Sequence, residues 1–485
     1  MAAQSSFHDD WHQVADLQPH LKPTVSFHRQ IWREKIRYVV YDAFSDEHFF
    51  INESSHFFIL NLNGQRSVDE IWFLSNQRFG DESLTQGEVV EILQQLFSHD
   101  LLKVDQELHT VDFFQDQRRQ KEKGHFSFVK NILFARVPLG SPEACVKFFF
   151  PFLRVLFTGF GFTAFLLLLG TACYQLVSSH ALIRSDLGTL LEVKNLIALY
   201  AVTVCLKLFH ELGHGTACKH FLKQAAQDTP IQKCGILFLL FIPFPFIDVS
   251  PSWKLKNKFH RMIIALSGMY FELLLAAVSA LIYVNTSQNQ LIHSLAFNAM
   301  ISSSISSLLF NANPFLRYDA YYVLSDYLEL ANLMENSRRF CMAKFKRLFF
   351  GVESILPDYS ASEKTIFAVY GSLSFLVRTL ILLSIVSIVG EFVAGTSIHL
   401  VFLVILLYVV PIIFRFLSYL NTSKELNGRR FRAMAISSLL FGLMALAVAT
   451  VKLPYFNVLE AHVATANKQL VISKYGGSLK SHLDD

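Results

Sequence analysis

Lys207-Leu208-Phe209-His210-Glu211-Leu212-Gly213-His214 closes an apolar stretch that runs from about residue 194 to 219. At roughly 3.6 residues per helical turn, His210 and His214 stand one above the other on a single face, so both imidazoles can reach one metal ion. Glu211 lies about 100° further round the helix, where it can approach a metal-bound water as a general base rather than bind as a ligand. Zinc is the natural ion for this H-E-x-x-H spacing. Ionisable side chains in an apolar span are costly to bury and mark function.

The surrounding chain sets the class. With 485 residues and 52% hydrophobic content and a mean hydropathy of +0.36, it is too apolar for an ordinary soluble core. Seven stretches, at about 151–178, 194–219, 260–284, 291–312, 364–389, 396–418 and 432–452, approach or exceed the roughly 20 helical residues that cross a bilayer. The expected fold is an α-helical polytopic membrane protein of about seven transmembrane helices carrying a small N-terminal α+β, winged-helix-like soluble domain. The first 30 residues include Asp9, Asp10, His20 and Lys22 and lack the basic-then-apolar pattern of a cleaved signal.

Lys and Arg cluster after the second span (Lys223, Lys233, Lys254, Lys256, Lys258), after the fourth (Arg338, Arg339, Lys344, Lys346, Arg347) and between the sixth and seventh (Lys424, Arg429, Arg430). The positive-inside rule makes these loops cytoplasmic, which puts the N-terminus inside and the C-terminus outside. The same topology accounts for the net charge of +4, so no nucleic-acid partner is expected. The six cysteines, Cys145, Cys173, Cys205, Cys218, Cys234 and Cys341, show no C-x-x-C spacing and read as buried thiols. Residues 235–249 carry Pro243 and Pro245 and suit a re-entrant strand or loop lining a cavity better than a span.

A catalytic zinc usually takes a third protein ligand and keeps one position open. Asp319 is the candidate, because it follows the fourth span just after Pro314 breaks the helix. Asn311 and Asn313 are candidates for donating hydrogen bonds to a developing oxyanion or a substrate backbone; beside a proline they equally satisfy freed backbone groups. Arg317 and Glu272 have no assignable role from sequence.

His210-Glu211-Leu212-Gly213-His214 on one span and Asn311-Ala312-Asn313-Pro314 through Asp319 after a later one resemble the site-2 protease family of intramembrane zinc metalloproteases, within it a bacterial peptide zinc metalloprotease branch. Phe246 to Ser250, Ala265 to Glu272 and Asn311 to Leu324 extend the resemblance over about 145–455. It implies Zn2+ held by His210, His214 and Asp319, Glu211 activating water, and a peptide or membrane-protein substrate in a bacterial inner membrane. One position departs: Ala320 follows the aspartate where the family has glycine at a tight turn.

Upstream, residues up to about 110 look soluble. Ile36 to Tyr41 and Glu47 to Ile51 read as paired strands, and Ser67-Val68-Asp69-Glu70 and Thr85-Gln86-Gly87-Glu88 fit capping boxes. Leu101 to Val104 reads as a last strand. Tyr38 to Asp42, Leu62 to Ile71 and Leu101-Leu102 resemble the PqqD-like peptide-recognition domain, which implies peptide binding by strand addition at a sheet edge, with Tyr38 to Tyr41 as the expected edge. The expected domains are therefore 30–110 (PqqD-like), 111–147 (juxtamembrane connector, its Arg118, Arg119, Lys121 and Lys123 either meeting anionic lipid heads or simply solvated), 148–455 (membrane metalloprotease) and 456–485 (extracytoplasmic tail). Ile472 to Gly477 is similar to the start of a lipoyl-like adaptor domain. That keeps an alternative open, a non-hydrolytic peptide-binding component of an export system working with a periplasmic adaptor and transporter.

Overall fold

The computed structural model describes residues 11–33, 35–42, 48–98, 101–103, 136–190, 192–227, 229–239, 242–286, 290–352, 356–357, 359–392, 410–423 and 426–450. The basic cluster at 118–123 and the tail 456–485 lie outside them, as does most of the sixth expected span.

The N-terminal part is a small sheet-and-helix unit. β2 (Val25–Trp32), β3 (Lys35–Asp42) and β4 (His48–Asn52) form an antiparallel sheet in that order. The short strands β1 (His20–Leu21) and β5 (Leu102–Lys103) pair separately. Tyr38 to Tyr41 therefore occupies the central strand, because β2 covers the side expected to be open; the edges are β2 and β4. The helices start where local chemistry favours it. Asn52 caps α2 (Glu53–Leu60) by accepting from the Ser55 amide, and Ser67 and Glu70 form the capping box of α3 (Val68–Phe79). Thr85 and Glu88 exchange the same pair of bonds at the start of α4 (Gln86–Ser98). Val40, Phe58, Ile71, Leu93 and Leu96 fill the core together with Val14, beside the four-residue α1 (Trp11–Val14), so the packed unit begins before residue 30.

The remainder is mostly helical. Among the described residues five helices are long and apolar enough to cross a membrane: α6 (Gly159–Ser178), α8 (Val193–Gln224), α9 (Lys258–Asn285), α10 (Gln290–Ile305) with its π-helical continuation to Asn311, and α13 (Ala361–Phe392). Their outward apolar side chains, such as Ile197, Phe160 and Leu167, suit lipid rather than water. The described helices thus cover five of the seven expected spans. α15 (Arg430–Thr450) overlaps the seventh, and of the sixth only α14 (Val410–Thr422) is described. The shorter α5 (Glu143–Leu153), α7 (His180–Asp186), α11 (Asp319–Leu328) and α12 (Leu333–Phe345) connect them.

The proline-containing segment is a hairpin of β7 (Cys234–Leu239) and β8 (Ile242–Ile247), and β6 (Arg136–Gly140) from the expected connector completes a three-stranded sheet. Ile247 donates its N–H to the Glu211 carboxylate, away from β7. Alternate residues of a strand point their amides the same way, so Pro243 and Pro245 fall where a donor would face the open edge. Proline is tolerated in a strand at such positions.

The end of β2 contacts the end of α11. Arg33 Nε donates to the Leu328 carbonyl at 3.0 Å, and its backbone N–H to Glu329 Oε2 at 2.7 Å. The Lys258 ammonium, bonded to Glu329 at 2.7 Å, holds that carboxyl below its ordinary range. Arg261 lies over the ring of Trp32 and pairs with Asp326 at 2.8 Å, both side chains almost fully buried. Burial pushes the Asp326 carboxyl up even with Arg261 opposing it. Two residues, Arg33 and Glu329, take left-handed backbone angles at this contact.

The described residues 344–352, 410–423 and 426–450 belong to a second compact unit. Within it Phe350, Val352, Leu420, Leu426 and Ala433 form a core, and Arg432 donates to the Phe349 and Leu348 carbonyls.

Candidate metal centre

The register of α8 delivers what its sequence spacing predicts. His210 and His214 share a face, with Nε2 atoms 3.0 Å apart. Asp319, the first residue of α11, arrives from the far side of the helix break: its Oδ2 lies 3.3 Å from His210 Nε2 and its Oδ1 3.5 Å from His214 Nε2. A tetrahedral zinc with arms of about 2.0–2.1 Å sets its donor atoms roughly 3.3 Å apart. The three observed separations bracket that edge. Among the described residues these three side chains form the one cluster of metal-ligating type whose donor atoms all fall within 4.8 Å of one another.

Tautomers support the same fit. His214 Nδ1 faces the Ile264 carbonyl at 2.8 Å, so that nitrogen carries the proton and Nε2 keeps its lone pair. His210 Nδ1 lies 3.2 Å from Glu272 Oε1, the distance of a hydrogen bond, though the ring N–H is turned off its line and the atom has no aligned partner. With both Nδ1 atoms protonated, the two Nε2 lone pairs would face each other and the Asp319 carboxylate. Asp319 Oδ2 is buried without a hydrogen bond. A dication would take both lone pairs and the carboxylate at once, where a proton on one Nε2 would bridge a single pair. The charges agree, since Lys207 already neutralises Glu272, leaving Glu211 and Asp319 to balance two positive charges.

The rings occupy space left open by Gly268 on α9. A Cβ built there would overlap Nε2 of both histidines. Gly213 makes the same crossing close from the other side, where a Cβ would stand 2.8 Å from the Ser267 carbonyl and 2.9 Å from the Phe271 ring. Glu211 is anchored by its Oε2, which accepts from Ile247 N–H at 2.8 Å.

Ala320 sits in the first turn of α11, outside the left-handed region, where alanine is favoured. The tight turn expected after the aspartate is absent. Asn311 is buried and donates to Glu272 Oε2 at 3.1 Å, while Asn313 accepts from the Phe315 amide at 3.0 Å. Both side chains are thus engaged with the protein itself. Arg317 lies over the ring of Tyr321. Glu272, unassignable in sequence, is the centre of a network whose partners are 34 to 65 residues away.

A cavity of about 450 Å³ opens between α8 and α10, lined by neighbours of the centre in sequence but by none of its three candidate ligands. Leu199, Ile301 and Phe244 give it apolar walls, Lys207 and Asn311 line it where α8 and α10 approach the Glu272 network, and Tyr318 neighbours Asp319. Thr203 and Ser302 bridge its two helices at 2.8 Å.

No protein family, curated protein or solved structure matches this chain.

Proposed function

We propose that the chain is an intramembrane zinc metalloendopeptidase that hydrolyses a peptide or membrane-protein substrate. The observation that carries this reading is the convergence of His210, His214 and Asp319, from elements more than 100 residues apart, at the spacing of a tetrahedral site with Glu211 alongside.

Zinc held there would polarise the scissile carbonyl and make water a stronger acid. Glu211 accepts a proton as the water oxygen bonds to the carbonyl carbon, and returns it to the amide nitrogen as the C–N bond breaks. The Ile247 amide holds Oε2, so the proton moves through Oε1. The cavity between α8 and α10 receives apolar side chains flanking the bond. The surrounding protein screens the reacting groups from lipid.

The fuller topology belongs to the same proposal: seven spans in a bacterial inner membrane, a cytoplasmic N-terminus and an extracytoplasmic C-terminus. Reporter fusions at residue 110 and after 455 are expected to mark opposite sides of the membrane. The same side from both would remove the seven-span model and make one span re-entrant. The N-terminal unit would recruit an extended peptide at one of its sheet edges, β2 or β4.

Zinc content separates ligand from scaffold at two nearby aspartates. Asp319→Ala should weaken zinc binding by more than the about 10–100-fold attached to losing a ligand's hydrogen-bonding neighbour. Asp326→Ala should destabilise the fold by about 3–5 kcal/mol, since it leaves Arg261 buried and unpaired, yet retain zinc in the folded fraction. Equal zinc content by elemental analysis of the two folded variants would reject Asp319 as a ligand, and a wild-type protein that binds zinc but cleaves no peptide would favour a binding role.

A further inference from the structure

Glu272 is completely buried within a span. A carboxylate in that setting persists only when firmly held, and the way it is held goes beyond neutralising a charge. Lys207 Nζ donates to Oε1 at 2.7 Å and Ser306 Oγ to the same oxygen at 3.1 Å; Ser307 Oγ donates to Oε2 at 2.5 Å and Asn311 Nδ2 at 3.1 Å. One lysine would have sufficed for charge. Four donors from two helices instead lock the carboxylate plane in one orientation.

That orientation meets the metal centre. Lys207 and His210 are three residues apart on α8 and face the same oxygen, with His210 Nδ1 at 3.2 Å from Oε1, in reach of a hydrogen bond that a small rotation of the ring would align. Three of the four donors, Ser306, Ser307 and Asn311, belong to the π-helical turn at the end of α10. Such turns often occur at functional sites. Gly268, one turn before Glu272 on α9, makes the room for the imidazole rings. The two histidines are backed differently: His214 rests on the neutral Ile264 carbonyl, His210 on an anion.

We propose that Glu272 is a positioning residue for the metal centre, orienting His210 through Nδ1 so that Nε2 points at the ion, and strengthening that nitrogen as a donor through the carboxylate's charge. Ser307 and Asn311 serve this carboxylate rather than the substrate. The inference rests on the reading of His210, His214 and Asp319 as a metal site and adds to it a partner outside the three ligands.

The test compares zinc affinity, by competition with a chromophoric chelator, and the visible spectrum of the cobalt-substituted full-length protein in detergent. K207M/E272Q removes the carboxylate's charge without leaving an unpaired buried lysine. It is expected to weaken zinc binding about 10–100-fold and to shift the cobalt bands, with the thermal unfolding of the metal-free protein unchanged. E272D keeps the ion pair to Lys207 and withdraws the carboxylate from His210, so it should show a smaller loss and an intermediate spectrum. Wild-type affinity and spectrum in the double variant would reduce Glu272 to a counterion for Lys207 and overturn the proposal. If the double variant does not fold, wild-type behaviour of E272D overturns it in the same way. A wild-type protein that takes up neither zinc nor cobalt would instead remove the metal centre, and this inference with it.

Discussion

Glu211→Gln is expected to bind zinc at the wild-type stoichiometry while hydrolysing peptide about 10²–10⁴-fold more slowly, the range a positioned general base contributes. The glutamine oxygen can still accept the Ile247 amide at the position where Oε2 now does, so the sheet and the helix crossing should keep their form. What is lost is the proton acceptor. His210→Ala is expected to lose the metal and the activity together, because two of the three donor separations end on its Nε2. Elemental analysis alongside cleavage of a peptide by the same preparations separates the two outcomes. Full activity in the glutamine variant would eliminate Glu211 as the base, and retention of zinc by His210→Ala would eliminate the proposed ligand set.

The parts of this site that sequence makes legible are those written in local geometry. A four-residue spacing on an apolar helix puts His210 over His214, and the Pro314 break explains why Asp319 can leave the line of its span and turn back. Capping boxes at Ser67 and Thr85 and the proline-bearing hairpin are local in the same sense. Strand β2 escaped because His28, Arg29 and Gln30 interrupt its alternation, and with it went the identity of the sheet edge. Strand β6 escaped because its partner lies about a hundred residues on. Glu272 could not be interpreted at all from its own neighbours, since every donor that defines it comes from another helix. Lys207 looks like a snorkelling helix residue until Glu272 is set beside it. Membrane-embedded polar groups are satisfied across helices, so their roles are decided by tertiary pairing that no periodicity encodes.

Gly268→Ala is expected to strip the site of metal without unfolding its helix. The substitution is favourable by local criteria, since alanine exceeds glycine in helix propensity by about 1 kcal/mol and Gly268 lies inside α9. The added methyl, however, lands on Nε2 of both His210 and His214. Neither ring can retreat freely. His214 is tied through Nδ1 to the Ile264 carbonyl on the same helix as the glycine, and His210 is backed by Glu272, whose own four hydrogen bonds fix it. Moving the helices apart would open the contact at Gly213, where the backbone and the Phe271 ring already pack closely, at an overpacking cost of about 1–3 kcal/mol. The loss of zinc affinity should therefore reach at least the roughly 10–100-fold seen when a ligand's support is removed. Gly170→Ala on α6 is the matched control, because nothing lies within 4 Å of a Cβ there. It should retain zinc. Chelator competition on both variants decides the matter: wild-type zinc affinity in Gly268→Ala would mean that the two imidazoles do not meet the ion at this crossing.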